Sequence, residues 1–422
     1  MPAWAKSQNP SILPIFKAIM KLSLSWLFSL LCLTAALPFV AQAQRNVGDV
    51  VIASDVQVVP VRVSSTTPEL NALAQQAFGA HGRYRVTASG YRYDIRFVQA
   101  GANQVRVDIT NASGGHLHSQ TLSGDSLRHA LLRAADVAVE RTNEQGLRGF
   151  FASKLTFISE RTGRKEVYTS DLFFGEVRQL TRDNSQALTP RWSPDGSRII
   201  YTSYFRSGFP DIFQIDLRNY QRSNFVSFKG TNSGARFSPD GRLVAMVLSG
   251  EGNAEIYVSD AQGRQIRRLT RTDAVEASPC FSPDGSRLIY TSDAAGGPQL
   301  YVMPVAAGAG AARRVPTNIS GYCSEPDWSR ADANKIAFTM RIGSGFQIAV
   351  YDFSKREPAR QVSRAPFDAI EPCWLADGRH LIYTARDRQT SRLCLLDTET
   401  GRSTTLSPAG LGTALQANAL LR

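Results

Sequence analysis

Few residues of this 422-residue chain have types and spacings suited to catalysis or metal binding. The five histidines are His81, His116, His118, His129 and His380, and only the last lies in the C-terminal two thirds of the chain. No G-x-S-x-G or H-E-x-x-H motif is present. His116 and His118 are two apart and could bind a metal ion, but an exposed hairpin pair is the favoured interpretation. We therefore expect no catalytic residue, cofactor or metal site.

Four aspartates recur in an equivalent setting and could be mistaken for an acidic site. Each follows Pro or Ala and precedes Gly, a sequence typical of a tight turn in which Asp accepts hydrogen bonds from its own backbone. We interpret all four as turn residues: Asp195, Asp240, Asp284 and Asp377.

These turns belong to an internal repeat. The stretch "RWSPDGSRIIYTS" recurs as "RFSPDGRLVAMVLS" and "CFSPDGSRLIYTS", then in altered form as "DWSRADANKIAFTM" and "CWLADGRHLIYTA". Its aromatic residues are spaced 45, 44, 47 and 46 residues apart, a period typical of propeller blades: Trp192, Phe237, Phe281, Trp328 and Trp374. Strand-like runs follow each turn, which predicts four antiparallel strands per unit.

The two ends of the repeat region complement each other. "KLTFIS" from Lys154 matches a second strand but has no first strand before it, and "ALQANALLR" at the C-terminus matches a first strand with no second strand after it. We predict that the last strand completes the first blade, because closure removes an exposed sheet edge. The fold class is therefore mainly β, a six-bladed β-propeller over 151–422 preceded by a small mixed α/β domain over 44–150.

The N-terminus has the pattern of a secretory signal. An apolar run over 22–40 follows Lys17 and Lys21 and ends in a small-residue cleavage site, with cleavage expected near Ala43. A retained membrane anchor is the alternative, and either Met1 or Met20 could be the true start. Without residues 1–43, which hold three lysines and no acid, the net charge is +9. The arginines are scattered, so we expect no nucleic-acid partner.

The four cysteines after the signal have no metal-binding spacing. Secretion would permit a disulfide, but strand residues of separate blades are expected to lie too far apart for one. Buried thiols are the favoured interpretation, with the redox state left open for Cys280, Cys323, Cys373 and Cys394.

The loops entering the first strands are the remaining candidates for a functional site. In a propeller these loops reach one face around the channel mouth, and polar groups converging there suggest a partner-binding site. The candidates are Thr189, Asn232, Ser233, Glu276, Ser278, Glu325 and Glu371. The alternative is that Glu325-Pro and Glu371-Pro only shape the turn.

The chain resembles the TolB family of the Tol-Pal envelope system. The resemblance rests on the signal, the "WSPDG…IIYTS" repeats and the link "LRHALLRAADVAVERTNEQGLRGFFASKLTFISERTG". It implies a monomeric, non-enzymatic periplasmic adaptor whose channel mouth binds the lipoprotein Pal and whose first mature strand, 47–54, binds TolA. The residues carried over to that strand are Val47, Asp49, Val51 and Ser54. One departure from the family pattern is a shortened N-terminal domain between "QVVPVRV" and "YRVTA".

Two enzyme classes also use such repeats. Resemblance to oligogalacturonate lyases would imply several metal-binding histidines in the ring, and His380 alone matches poorly. Peptidase propellers need an additional hydrolase domain, for which the chain has no room.

Overall fold

The N-terminal part is a mixed sheet with two helices. A computed structural model describes residues 58–421. Its first elements are β1 (Val59–Ser65), α1 (Pro68–Ala80), β2 (Tyr84–Val86), β3 (Tyr93–Gly101), β4 (Gln104–Asn111), β5 (His116–Ser123) and α2 (Leu127–Thr142). The sheet order is β2-β1-β3-β4-β5, with β1 parallel to both of its neighbours. The mixed α/β character predicted from the sequence is confirmed.

Local sequence explains where both helices begin. Thr67 caps α1 by accepting a hydrogen bond from the amide of Leu70, and Pro68 occupies the first turn. Ser126, rather than the neighbouring Asp125, caps α2 through the amide of His129. Both helices bury apolar side chains against the sheet, with Phe78 and Leu131 fully enclosed.

Six four-stranded sheets follow, which confirms the six-bladed propeller. Blade 1 contains β6 (Lys154–Ser159), β7 (Glu166–Asp171) and β8 (Arg178–Gln179). Blade 2 contains β9 (Ala187–Trp192), β10 (Arg198–Ser203), β11 (Asp211–Asp216) and β12 (Gln221–Val226). Blade 3 contains β13 (Asn232–Phe237), β14 (Leu243–Leu248), β15 (Glu255–Asp260) and β16 (Arg267–Arg268). Blades 4 and 5 contain β17 (Glu276–Phe281), β18 (Arg287–Ser292), β19 (Gln299–Pro304), β20 (Arg313–Arg314); β21 (Cys323–Trp328), β22 (Lys335–Ile342), β23 (Gly345–Asp352), β24 (Arg360–Gln361). Blade 6 contains β25 (Asp368–Trp374), β26 (His380–Arg386), β27 (Ser391–Asp397) and β28 (Ser403–Thr405), and the chain ends with β29 (Ala414–Leu420). Short 3-10 turns lie at Gly308–Ala311 and Ala409–Leu411.

The C-terminal strand closes the ring. β29 pairs antiparallel with β6, so that Ala414 lies opposite Ser159 and Leu420 opposite Lys154. Blade 1 is thereby completed by the last strand of the chain, as the repeat count predicts.

The aspartate turns between the first and second strands have the structural role predicted for them. In blade 4, the Ser282 hydroxyl donates to Asp284 across 2.5 Å, and the amide and hydroxyl of Ser286 donate across 3.1 and 2.7 Å. These hydrogen bonds lower the pKa of Asp284 to about 2. The side chains of these aspartates therefore hold the hairpin in shape.

The propeller packs directly against the N-terminal sheet domain, on the face that carries these hairpin turns. Arg379 and Asp397 form a buried bidentate ion pair at 2.7 and 2.9 Å. Gly82 lies against this pair so closely that a Cβ atom there would be 1.7 Å from the Asp397 carboxylate, so only glycine fits. On blade 1, Arg128 of α2 pairs with Asp171 at 3.0 Å.

The predicted signal peptide (1–43) and the predicted TolA-binding residues Val47, Asp49, Val51 and Ser54 lie outside the described residues. Within 58–421, no helix is long and apolar enough to cross a membrane. The four cysteines of this range are buried free thiols, which confirms the favoured interpretation.

Candidate functional site: the channel mouth

Each innermost strand carries a bulge near its start, and the bulges form a ring. At every bulge the pairing register shifts and one residue takes a positive φ of 48 to 62°. One residue per blade does so, three positions before the blade aromatic wherever that aromatic is present: Thr189, Gly234, Ser278, Glu325, Glu371 and Gln416. All six line one cavity of ≈ 90 Å³ on the channel axis.

Five of the six are not glycine, so this ring stores backbone strain. A non-glycine residue in the left-handed region costs roughly 1–2 kcal/mol. Such strain persists only where surrounding contacts impose it, and it is typical of functional sites. We therefore treat this ring, called the mouth ring below, as the candidate site.

Hydrogen bonds between blades hold the mouth ring in place. The bulge amides of Gly234, Glu325, Glu371 and Gln416 donate to a second-strand threonine of the preceding blade. Their acceptors are Thr202 (3.3 Å), Thr291 (3.3 Å), Thr339 (3.1 Å) and Thr384 (3.1 Å), respectively. The Thr189 amide has no such threonine before it, and it donates to the Gln416 side chain across 2.8 Å.

The two glutamates of the mouth ring take part in this network. The Glu325 carboxylate accepts from the Thr339 hydroxyl at 2.7 Å and from the Glu371 amide at 3.1 Å. The Glu371 carboxylate accepts from the Thr384 hydroxyl at 2.8 Å and from the Gln416 amide group at 2.9 Å. Burial and the charge of Glu371 raise the pKa of Glu325 to about 7. Both carboxylates line the opening and also connect neighbouring blades.

The structure brings together four of the seven predicted mouth residues: Thr189, Ser278, Glu325 and Glu371. Three others are corrected in placement. Ser233 is half-buried beside the bulge and does not line the cavity. Asn232 is buried and closes its own loop, with its amide group donating to Phe228 O at 2.8 Å. Glu276 is 1% exposed and accepts from Thr272 and Ser292 at 2.7 and 3.0 Å, and burial followed by its contact with Glu255 raises its pKa to about 7.

The physical reason for this correction is the bulge. Asn232 and Glu276 lie on their strands two residues before it, where side chains point into the blade. Gly234 and Gln416 also belong to the mouth but are not among the predicted residues, although their position relative to the repeat is a usable signal.

Exposed apolar side chains surround the mouth on the same face. Ser203 pairs with Ala187 and Met340 pairs with Cys323, so the connections after second strands lie beside the starts of first strands. Those connections and the loops entering first strands carry large apolar side chains that are 46 to 68% exposed: Phe205, Phe209, Phe228, Val275, Ile342 and Phe367. We call this set the apolar rim.

A buried histidine cluster at the domain contact is the other group with possible metal ligands. Donor atoms of His81, Asp377 and His380 lie within 4.8 Å of one another. Both ring nitrogens of His380 are already engaged, Nδ1 with Asp377 at 2.6 Å and Nε2 with the Gly82 amide at 3.2 Å. The Gly82 amide thereby occupies the Nε2 lone pair that a metal would need. Burial, followed by the charges of His380, Arg379 and Arg83, lowers the pKa of His81. Because the positive charges of the two arginines also oppose a bound cation, we assign no metal to this cluster. His380 faces the N-terminal domain and not the channel.

Comparison with known proteins agrees with this architecture. Residues 143–414 match a family model described as the TolB beta propeller domain. The chain belongs to the TolB family. Among curated relatives, a protein TolB homolog of Chlorobium luteolum is 35% identical over 45% of this chain and 43% of its own length. A Tol-Pal system protein TolB of Bordetella pertussis is 31% identical over 50% of this chain and 46% of its own length.

The match to those curated relatives spans less than half of their length. A crystal structure of TolB from Acinetobacter baumannii superposes with a TM-score of 0.75 at 22% identity, covering 87% of this chain and 97% of that one. At that identity the superposition establishes the shared fold: this TolB-family chain has the same combination of N-terminal domain and propeller.

Proposed function

We propose that this protein is a non-enzymatic periplasmic adaptor of the Tol-Pal system. In this proposal, the mouth ring and apolar rim bind a Pal-like lipoprotein, and the N-terminal segment 47–54 binds a TolA-like protein. By linking the Pal-like and TolA-like proteins, the adaptor supports outer-membrane integrity and envelope constriction at division. Family membership over residues 143–414 is the observation that carries the proposal.

The position of the N-terminal domain supports the choice of binding face. Within residues 58–421, the contacts of the N-terminal domain with the propeller lie at turns on one face, those bearing His380, Asp397 and Asp171. The mouth ring lies at the opposite ends of the same strands, so residues 58–150 of the N-terminal domain leave this face uncovered. A channel opening surrounded by exposed aromatic side chains fits a folded partner that inserts a loop, since aromatic anchors supply much of the binding energy of protein interfaces.

The location of the one ring histidine argues against the lyase alternative. Its imidazole is fully buried against His81 and Phe150, with ring centroids 4.3 and 4.8 Å apart. A metal-assisted reaction at the channel would need ligands that point into the channel. Adaptor function requires no such group.

The test is calorimetric titration of the mature protein with the soluble domain of the cognate Pal-like lipoprotein. We expect Phe209→Ala combined with Phe367→Ala to weaken binding by about 2 kcal/mol or more, the scale of interface hot spots. Leu117→Ala is the matched control, because Leu117 is 51% exposed but lies on the N-terminal sheet. Wild-type affinity in the double variant, or no binding by the wild type, would contradict the proposed binding face.

The TolA arm is tested separately. Deletion of residues 44–54 should abolish binding to the TolA-like protein and leave Pal binding in place. Equal loss of both would argue against two distinct sites.

A further inference from the structure

A second ring of side chains lies below the mouth ring. Two residues further along each innermost strand, about 7 Å deeper for an extended chain, are Arg191, Arg236, Cys280, Asp327, Cys373 and Asn418. They line a cavity of ≈ 50 Å³. Arg191 and Arg236 also line the mouth cavity, so the two spaces adjoin each other at these two side chains.

Four of the six members of this lower ring accept a hydrogen bond from the next blade, including Cys373, whose sulfur accepts from the Asn418 side chain at 3.6 Å. Asn418 accepts from the Trp192 amide at 2.9 Å, Cys280 from the Trp328 amide at 3.3 Å, and Asp327 from the Trp374 amide at 2.7 Å. The two arginines break this pattern, because a guanidinium can only donate. They place two cations side by side in blades 2 and 3.

Among the described residues, only one of these cations has a counter-ion. Arg236 pairs with Asp327 at 2.9 Å, and the other oxygen of Asp327 is taken by the Trp374 amide. Arg191 donates to the carbonyl of Pro190 at 3.0 Å, and within residues 58–421 no carboxylate oxygen lies within 4.0 Å of its nitrogens. Burial, followed by the charge of Arg236, lowers the pKa of Arg191. An anion placed here would therefore be favoured.

We propose that the channel binds a carboxylate at Arg191, entering through the mouth. The planar guanidinium can hold both oxygens of a carboxylate in parallel hydrogen bonds. Two sources share this chemistry: an Asp or Glu side chain on a partner loop, or a small free carboxylate. The first source rests on the proposed function, and the second does not.

Formate is the probe for the site itself. Thermal melting of the full mature protein in increasing sodium formate should show a saturable rise in melting temperature for the wild type. The Arg191→Gln variant should not show this rise in melting temperature. The Arg191→Lys variant keeps the positive charge but lacks the paired N–H donors of the guanidinium, and it should show part of the rise. Arg242→Gln is the matched control, because Arg242 is 85% exposed on the hairpin-turn face. An equal response in Arg191→Gln and wild type would overturn the proposal.

Binding of the Pal-like domain distinguishes the two possible sources of the carboxylate. If a partner side chain supplies the carboxylate, Arg191→Gln should weaken Pal binding at least tenfold, and formate should compete with Pal on the wild type. If the source is a small free carboxylate, formate should still raise the melting temperature of the wild type, and Arg191→Gln should leave Pal binding unchanged. Failure of Pal to bind the wild type would count against the proposed function alone, since the formate titration does not depend on it.

Discussion

The Glu371 amide of blade 6 donates a hydrogen bond to the Thr339 hydroxyl of blade 5 across 3.1 Å. The same hydroxyl donates to the Glu325 carboxylate at 2.7 Å, so one threonine joins the strained bulges of two blades. Equivalent threonines act in blades 2, 4 and 6. In blade 3 the corresponding residue is Val247, and in blade 1 it is Ile158. The second-strand threonine, as in the "YTS" sequence of the repeat, therefore stabilises the mouth ring as well as its own blade.

The first prediction concerns this interblade bond. Thr339→Val keeps the side-chain shape but leaves the Glu371 amide and the Glu325 carboxylate without this partner. We expect a loss of about 1–3 kcal/mol in the free energy of unfolding, measured by urea denaturation. Thr404→Val is the matched control, because the buried Thr404 hydroxyl has no hydrogen-bond partner in the described part of the chain and its removal should be neutral. Equal effects of the two substitutions would show that the threonine contributes only packing.

The second prediction concerns the charge of Glu325. Its pKa is about 7 in the folded protein against an ordinary 4.5, so the folded state holds its proton more tightly than the unfolded state. The contribution of this group to stability is therefore full below pH 4.5 and is lost as the pH rises through about 7. Glu325→Gln mimics the protonated form and cannot titrate. Thermal melting should show this variant gaining on wild type from pH 5 to pH 8, and a constant difference would contradict the raised pKa.

The repeat and its closure could be predicted from the sequence because each blade repeats the same local pattern. The spacing of Trp192 and its equivalents gives the length of a blade. The C-terminal first strand, which has no second strand after it, predicts that the ring closes on blade 1. The mouth could be predicted only in part. Whether a side chain faces the channel depends on which side of the bulge it lies, and a one-residue shift reverses a strand's faces. Glu325 is itself the bulge residue and lines the opening, whereas Glu276 lies two residues before its bulge and points into the blade.

The absence of a linker before blade 1 predicts that the two domains pack together, but the residues that meet could not be predicted, for a different reason. His81 and His380 are 299 positions apart, and neither lies in a recognisable motif. Their proximity arises only when the N-terminal sheet packs on blade 6. Pairing over such a distance leaves no periodic signal.

The third prediction concerns that contact. Burial, followed by the charges of His380, Arg379 and Arg83, lowers the pKa of His81 well below its ordinary 6.5. Asp377 also belongs to this cluster. As the pH drops below 6.5, His81 is protonated in the unfolded state but stays neutral in the folded state. The free energy of unfolding should therefore fall over this range. His81→Asn retains an acceptor for the Arg83 amide and should flatten this loss in thermal melts from pH 7.5 to pH 5.5. His116→Asn, at an exposed site, should leave the profile of the wild type, and the same profile in all three proteins would contradict the prediction.

The last prediction concerns closure. Removing residues 414–422 takes away the first strand of blade 1 and leaves the edge of β6 unpaired. It also removes the Gln416 acceptor for Thr189 and the Asn418 acceptor for Trp192. An exposed strand edge pairs readily with other chains, so we expect the truncated protein to aggregate, as light scattering after size exclusion would show. Asn418→Ala is the graded control: it keeps the strand, removes one interblade bond, and should remain monodisperse with a loss of about 1–3 kcal/mol. A truncated protein that stays monodisperse and melts like the intact one would mean that the ring does not depend on its last strand.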